Sequence, residues 1–174
     1  MVRRKGTSAD TDDSRTREEA EEALRRSEDK YRTLFDNMIT GAFFQEANGV
    51  LSDVNGAALE MFGLTRSEFI GRTSEHADWI VIEEDGARLL SEEHPSIIAL
   101  RTGKPVRDRR LGIYNARKQA YRWLSVSAIP LFRPGEANAF QVFVTLHDLT
   151  EIHQAEETIR ESGQRLKLMA EASN

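Results

Sequence analysis

An α+β fold, with five strands and helices crossing one face of the sheet, is what this sequence predicts. Three observations carry the prediction. The stretch from Tyr121 to Arg160 holds two apolar runs, YRWLSVSAIPLF and FQVFVTLHDLTE, around an RPGEANA loop whose Pro134 and Gly135 signal a hairpin. Asn48-Gly49, the strongest short hairpin signal in the chain, separates the runs GAFFQE and VLSDVN. Segments of helical period bracket these strands at both ends, and short apolar helices lie between them.

In chain order, residues 1–14 are polar and small, and are expected to be a disordered lead. From residue 15 to 38 the pattern is helical. Ala20, Leu24, Ser27, Tyr31, Leu34 and Met38 recur at alternating spacings of four and three with Glu, Arg and Lys between them. That is a heptad stripe, suited to a partner helix or to the chain's own domain; the dense charge on the other face favours a partner. Gly41 should end this helix. A globular domain is expected over 39–150.

After the first hairpin, Asn55 stands where an N-cap should be, before Ala57, Ala58, Leu59, Met61 and Phe62, a short helix stopped by Gly63. Thr65 or Ser67 can cap a further turn through Phe69, closed by Gly71. Residues 72–91 are the least readable; ADWIVIEEDG suggests a short buried piece and then a turn at Asp85-Gly86. Pro95 suits the first turn of a helix with Ile97, Ile98 and Leu100 on its apolar side and Gly103 as its stop. PVRDRRLGIYN is the third strand, turning around Ala116 to Lys118 into the final hairpin.

The last strand runs without a linker, through His147-Asp148-Leu149-Thr150, into a second heptad stripe over 151–174: Ile152, Ala155, Ile159, Ser162, Leu166 and Met169. Asp148 and Glu151 form a D-x-x-E capping pattern, and Thr150 is a second candidate N-cap. Gly163 interrupts the stripe at a cost of about 1 kcal/mol, so bending or fraying is expected there. Because sheet and helix are joined directly, displacement of one should be felt by the other.

Composition narrows the function. Net charge is −5, from 24 basic and 29 acidic residues in mixed order, so no basic field recruits nucleic acid. No apolar run approaches the roughly 20 residues of a membrane helix, and the N-terminus lacks the apolar core of a signal peptide; a cytoplasmic protein, or the cytoplasmic part of a larger one, is expected. With no cysteine, disulfides, thiolate metal sites and any cofactor attached through cysteine are excluded.

The order of elements, LFDNM at the end of the first helix, DVNGAALEMFG, YRWLSVSAIPL and HDLTE together resemble a PAS domain, of the sensory class found in bacterial and archaeal signalling proteins. The resemblance spans Tyr31 to Glu151. It implies a five-stranded antiparallel sheet in the order 2-1-5-4-3, with the short helices closing a pocket on one face. It further implies that Asp148 and Thr150 match the family's Asp-x-Thr exit motif, with contacts back to Arg122 and Trp123. Leu149, standing where the family usually has a β-branched residue, is a mild departure. The terminal LKLMAEASN resembles the start of another PAS repeat, so the chain reads as part of a multidomain sensor.

Site chemistry is sparse. His94 precedes the helix that carries the axial ligand in haem-binding PAS domains, but at its first turn rather than its middle, and reads as a surface histidine. His76 is no better supported. His147 and His153 straddle the exit without a third metal ligand at plausible spacing, and His153 reads as a solvated helix residue. Glu83, Glu84 and Asp85 read as a solvated acidic turn. No phosphate loop, nucleophile elbow or pocketed carboxylate pair is present, so no enzyme activity is expected. Candidate pocket residues are Phe43, Leu59, Phe62, Ile98, Leu111, Leu124, Val126 and Val144, residue types that are more often plain core than ligand contacts; no ligand or cofactor is named by the sequence.

Two readings stand. One is a sensory and signal-transmitting module of a histidine-kinase or cyclic-dinucleotide type sensor. It would dimerise along Leu24, Tyr31, Leu34 and Met38, and again along Ile152, Ile159 and Leu166. A small-molecule pocket would act through Asp148 and Thr150 on an effector beyond Asn174. The other is a dimerisation or spacer domain with a filled core and no ligand. A cavity near Phe62 and Leu111 separates them.

Overall fold

A computed structural model describes residues 9–76 and 79–172 of the chain, with side chains from Ser14 onward. Helix α1 spans Ala9–Asp36, strands β1 and β2 Gly41–Glu46 and Leu51–Val54, and helices α2 and α3 Gly56–Phe62 and Arg66–Phe69. Then follow β3 (Val81–Ile82), a short 3₁₀ turn, α4 (Pro95–Thr102), β4 (Val106–Asn115), β5 (Ala120–Leu131), β6 (Gln141–Asp148) and α5 (Thr150–Ala172). The chain divides into two units, one ending at Asn37 and the other running from Met38 onward.

In the first unit, α1 starts earlier than the expected Arg15 and takes in residues assigned to the disordered lead; residues 1–8 lie outside the described part. Acidic residues suit the positive end of a helix, and after Gly6 no glycine or proline interrupts. The helix also stops earlier than expected, at Asp36. Asn37 turns its side-chain amide back onto the Thr33 carbonyl at 2.7 Å, so Met38 lies past the helix end rather than in the stripe. Leu24 and Leu34 are both 61% exposed, and Tyr31, half-exposed, stacks on Phe35 at 5.5 Å.

The second unit is built on one antiparallel sheet of order β2-β1-β6-β5-β4-β3. Six strands replace the expected five. The addition is β3, two residues that pair Val81 with Ile113 and Ile82 with Gly112 at the outer edge. So short a strand shows no periodicity in sequence, and only its neighbour β4 makes it one. Without it the order is the predicted one.

Local chemistry explains most of the joints. Gly49 takes the left-handed conformation (φ 85°) that the β1–β2 turn needs. Asn55, fully buried, caps α2: its Oδ1 accepts the amides of Ala58 at 3.0 Å and Ala42 at 2.9 Å, and its Nδ2 donates to the Thr40 carbonyl at 2.9 Å. Thr65, not Ser67, is the second cap, with Glu68 completing a capping box. Pro95 opens α4 and Gly103 closes it. Its buried residues, however, are Pro95, Ser96 and Ala99, with Ile97, Ile98 and Leu100 only partly covered. The helix therefore lies rotated from its expected face. The far end of α2 is held by Asn115, whose Nδ2 donates to the Glu60 and Met61 carbonyls at 3.0 Å each while its Oδ1 accepts the Lys118 amide.

Strand pleating places Leu124, Val126 and Ala128 of β5 and Val142, Val144 and Leu146 of β6 in the core beneath α2–α4. The same period puts Trp123 of β5 and Arg110 and Gly112 of β4 on the opposite face. No helix among the described residues is long and apolar enough to cross a membrane.

Candidate functional site

Two features of the second unit stand out, an apolar cavity on the helical side of the sheet and the junction where β6 becomes α5. The cavity measures about 60 Å³. Its walls are Phe43, Leu51, Phe62, Phe69, Trp79, Val81, Leu111, Ile113, Val126, Val144 and Leu146, with Ser74, whose hydroxyl accepts from Gln45 Nε2 at 3.0 Å, and with His94, Pro95 and Ser96 at the start of α4. Four rings dominate: Phe62 meets Trp79 at 5.0 Å and Phe69 at 5.3 Å, and Phe43 meets Phe69 at 5.4 Å, mostly edge to face. Each such pair is worth about 0.5–1.5 kcal/mol beyond its buried area, which makes this a stiff wall.

Of the residues named from sequence, Phe43, Phe62, Leu111, Val126 and Val144 line this space. Leu124 is fully buried in the core but outside the lining, Leu59 packs against the core's edge, and Ile98 points elsewhere on the rotated α4. His94 is not a surface histidine. It lines the cavity, and burial, followed by the nearby charge of Arg109, depresses it from 6.5 to about 4, with Glu93 offsetting this only in part. The imidazole is therefore neutral at ordinary pH. Arg109 itself donates to the Glu93 carbonyl at 2.7 Å and pairs with Glu83. Glu84 faces Arg110 at 3.6 Å, while Glu84 and Asp85 stay exposed, so the acidic turn is solvated as expected but tethered to β4. Trp79 was legible only as part of a short buried piece, and nothing in the sequence marked Ser74 or Ser96 as lining residues.

At the junction the β5–β6 ladder ends at Leu124 opposite Asp148 and is then continued by side chains. The Leu149 amide donates to the Trp123 carbonyl at 2.7 Å, and the Trp123 amide donates to Thr150 Oγ1 at 3.1 Å. Thr150 gives its own hydroxyl proton to Asp148 Oδ1 at 2.5 Å and its amide to the same oxygen at 2.9 Å. Asp148 Oδ2 accepts Arg122 Nη1 at 2.6 Å, and Arg122 Nη2 lies 3.7 Å from Glu60 of α2. Burial would raise the Asp148 carboxyl, but the Thr150 hydroxyl and amide, and then Arg122, outweigh it and hold the group below its ordinary value. Asp148 thus caps by bonding two residues on, to Thr150, and Thr150 is a bridge to β5 rather than a cap.

His153 is not a free helix residue either: its ring stacks on Trp123 at 3.9 Å and 25°. One turn on, Glu156 meets Arg110 at 3.1 Å. The first two turns of α5 therefore lie over the sheet face opposite the cavity. Beyond them the helix is exposed, with Ile159 at 73% and Leu166 at 68%. It runs unbroken through Gly163. Among the described residues no group of His, Cys, Asp and Glu is arranged to hold a metal ion.

The family model described as PAS fold matches residues 29–149, well over half of the chain. The chain belongs to the PAS family. Solved PAS structures share the architecture. A PAS domain of an HTR-like protein from Haloarcula marismortui, 16% identical, covers 75% of this chain and 98% of its own with a TM-score of 0.54. The PAS domain of BvgS from Bordetella pertussis, 19% identical, covers 81% and 98% with a TM-score of 0.53. A domain of a sensory box sensor histidine kinase/response regulator from Geobacter sulfurreducens is 25% identical, covering 72% and 96% with a TM-score of 0.52. None of the curated proteins compared matches this chain. PAS domains of this kind are in general non-catalytic sensory modules, and this one carries the fold of that class.

Proposed function

We propose that this PAS domain senses a small molecule in the cavity and transmits the event through Asp148, Thr150, Arg122 and Trp123 to α5. One observation carries the proposal: Trp123 has both its amide and its carbonyl bonded to the exit residues, while Val126, further along the same strand, lines the cavity. A ligand that displaces β5 shifts the bonds that seat α5. Arg122 adds a second route, since it joins Asp148 to Glu60 on α2, the helix that presents Phe62 to the cavity. The size of any signal is bounded by the ligand's difference in affinity for the two seatings of α5.

The exposed stripes fit a homodimer, with Leu24, Tyr31 and Leu34 on α1 and Ile152, Ile159 and Leu166 on α5 meeting a second copy. The likeness to a sensor histidine kinase domain supports a kinase-type effector following α5 in the full-length protein. Substituting Asp148→Ala in the intact sensor should uncouple effector output from stimulus while the domain stays folded. Unchanged stimulus response in that variant would remove the junction from the pathway. The alternative, a dimerisation or spacer domain, draws support from the small volume of the cavity, which lies far below the roughly 300–1,000 Å³ of drug-sized ligand sites.

A further inference from the structure

The cavity's lining restricts what it can take, and this inference rests on the sensory reading above. Its 60 Å³ is roughly four to six water-sized volumes, too little for a flavin or a haem and enough for a molecule no larger than one small ring. Among the described residues no carboxylate, ammonium or guanidinium lines it. Arg109, whose charge reaches His94 in the lining, is already committed to Glu83 and the Glu93 carbonyl. An ionised ligand would therefore lose its hydration without a countercharge, which costs several kcal/mol or more.

One polar feature is left over. The Nε1–H of Trp79 is buried and has no acceptor among the described residues, although the ring is fixed on two sides by Phe62 and Phe69. A buried donor without a partner is uncommon and invites an explanation.

We propose that the cavity is selective for a compact, uncharged molecule with an apolar body and one strong hydrogen-bond acceptor, such as a carbonyl or ring-nitrogen group, which receives the Trp79 Nε1–H. The neutral His94 ring and the Ser74 and Ser96 hydroxyls provide weaker polar contacts without introducing charge. A site that supplies an unpaired donor discriminates strongly against a ligand lacking the acceptor, because that donor then stays unpaired.

The chain has two tryptophans, so its indole N–H spectrum holds two signals, and Trp123 serves as the reference for Trp79. The 174-residue protein would be titrated with cyclohexanone, methylcyclohexane and cyclohexanecarboxylate, following both signals by nitrogen–proton NMR and the melting temperature in parallel. Expected are a downfield shift of the Trp79 signal larger than that of Trp123, at least tenfold tighter binding of the ketone than of the hydrocarbon, and no binding of the carboxylate. Trp79→Phe, which keeps an aromatic ring in the wall, should abolish the preference for the ketone while leaving hydrocarbon binding in place. Equal binding of ketone and hydrocarbon, or tight binding of the carboxylate, overturns the selectivity and leaves a ligand-sensing cavity standing. No binding of any of the three overturns the selectivity and takes the cavity's support from the sensory reading as well.

Discussion

Single side chains decide most of the joints in this domain, and two of them have consequences for pH. His94 lines the cavity with its protonation driven down to about 4. The unfolded chain accepts that proton near 6.5, so between the two values the unfolded state binds more protons than the folded one. Stability is therefore complete above about 6.5 and is lost as pH falls toward 4. Asp148 also loses stabilisation in acid, since its carboxyl is held below its ordinary value of 3.8, but that loss begins only near 3.8 and below. Denaturant melts at pH 7.5 and 5.0 consequently isolate the histidine: His94→Gln should lower the acid-side loss by about 1–2 kcal/mol, allowing for the ring's partial exposure. An identical loss in the variant would mean that the ring reaches solvent. His94 was legible in sequence as a residue at the start of a helix but not as a covered one, because the cavity wall it joins and the Arg109 charge beside it come from elements distant in the chain.

At the scale of the element, the helices show what local pattern can and cannot carry. Asn55, Thr65, Pro95 and Gly103 occupy the cap and stop positions their identities suggest, because a cap is satisfied by amides within a few residues. Helix faces are another matter: α4 buries Pro95, Ser96 and Ala99 because the sheet beneath chose that side. Gly163 does not break α5, whose i-to-i−4 ladder continues across it. A Cβ there would meet nothing within 4 Å. Gly163→Ala should accordingly raise the helicity of α5 and stabilise it by about 0.5–1 kcal/mol, read as increased ellipticity at 222 nm and slower amide exchange in residues 160–170. A loss of helicity would show that the glycine is a required hinge.

For the whole molecule, the question is what the exposed stripes do. Ile159 and Leu166 stand on the solvent side of α5, past the turns anchored by Trp123 and Arg110. If a second copy covers them, light scattering should give a dimer at tens of micromolar. Ile159→Glu together with Leu166→Glu should then raise the dissociation constant at least tenfold, as like charges enter an apolar seam. A wild-type monomer at that concentration would end the coiled-coil reading.

The sequence by itself determined the α+β class, both hairpins, the caps of α2, α3 and α4, and the absence of cysteine chemistry. All of these rest on contacts between near neighbours, or on composition. Tertiary structure alone decided that two residues after Trp79 make a sixth strand, that Asn115 holds the end of α2, and that Trp79 and His94 share a wall with Phe62. It also decided that His153 stacks on Trp123. Those facts depend on residues far apart in the chain meeting across the sheet. A buried position is defined by what covers it, and no local spacing specifies the cover.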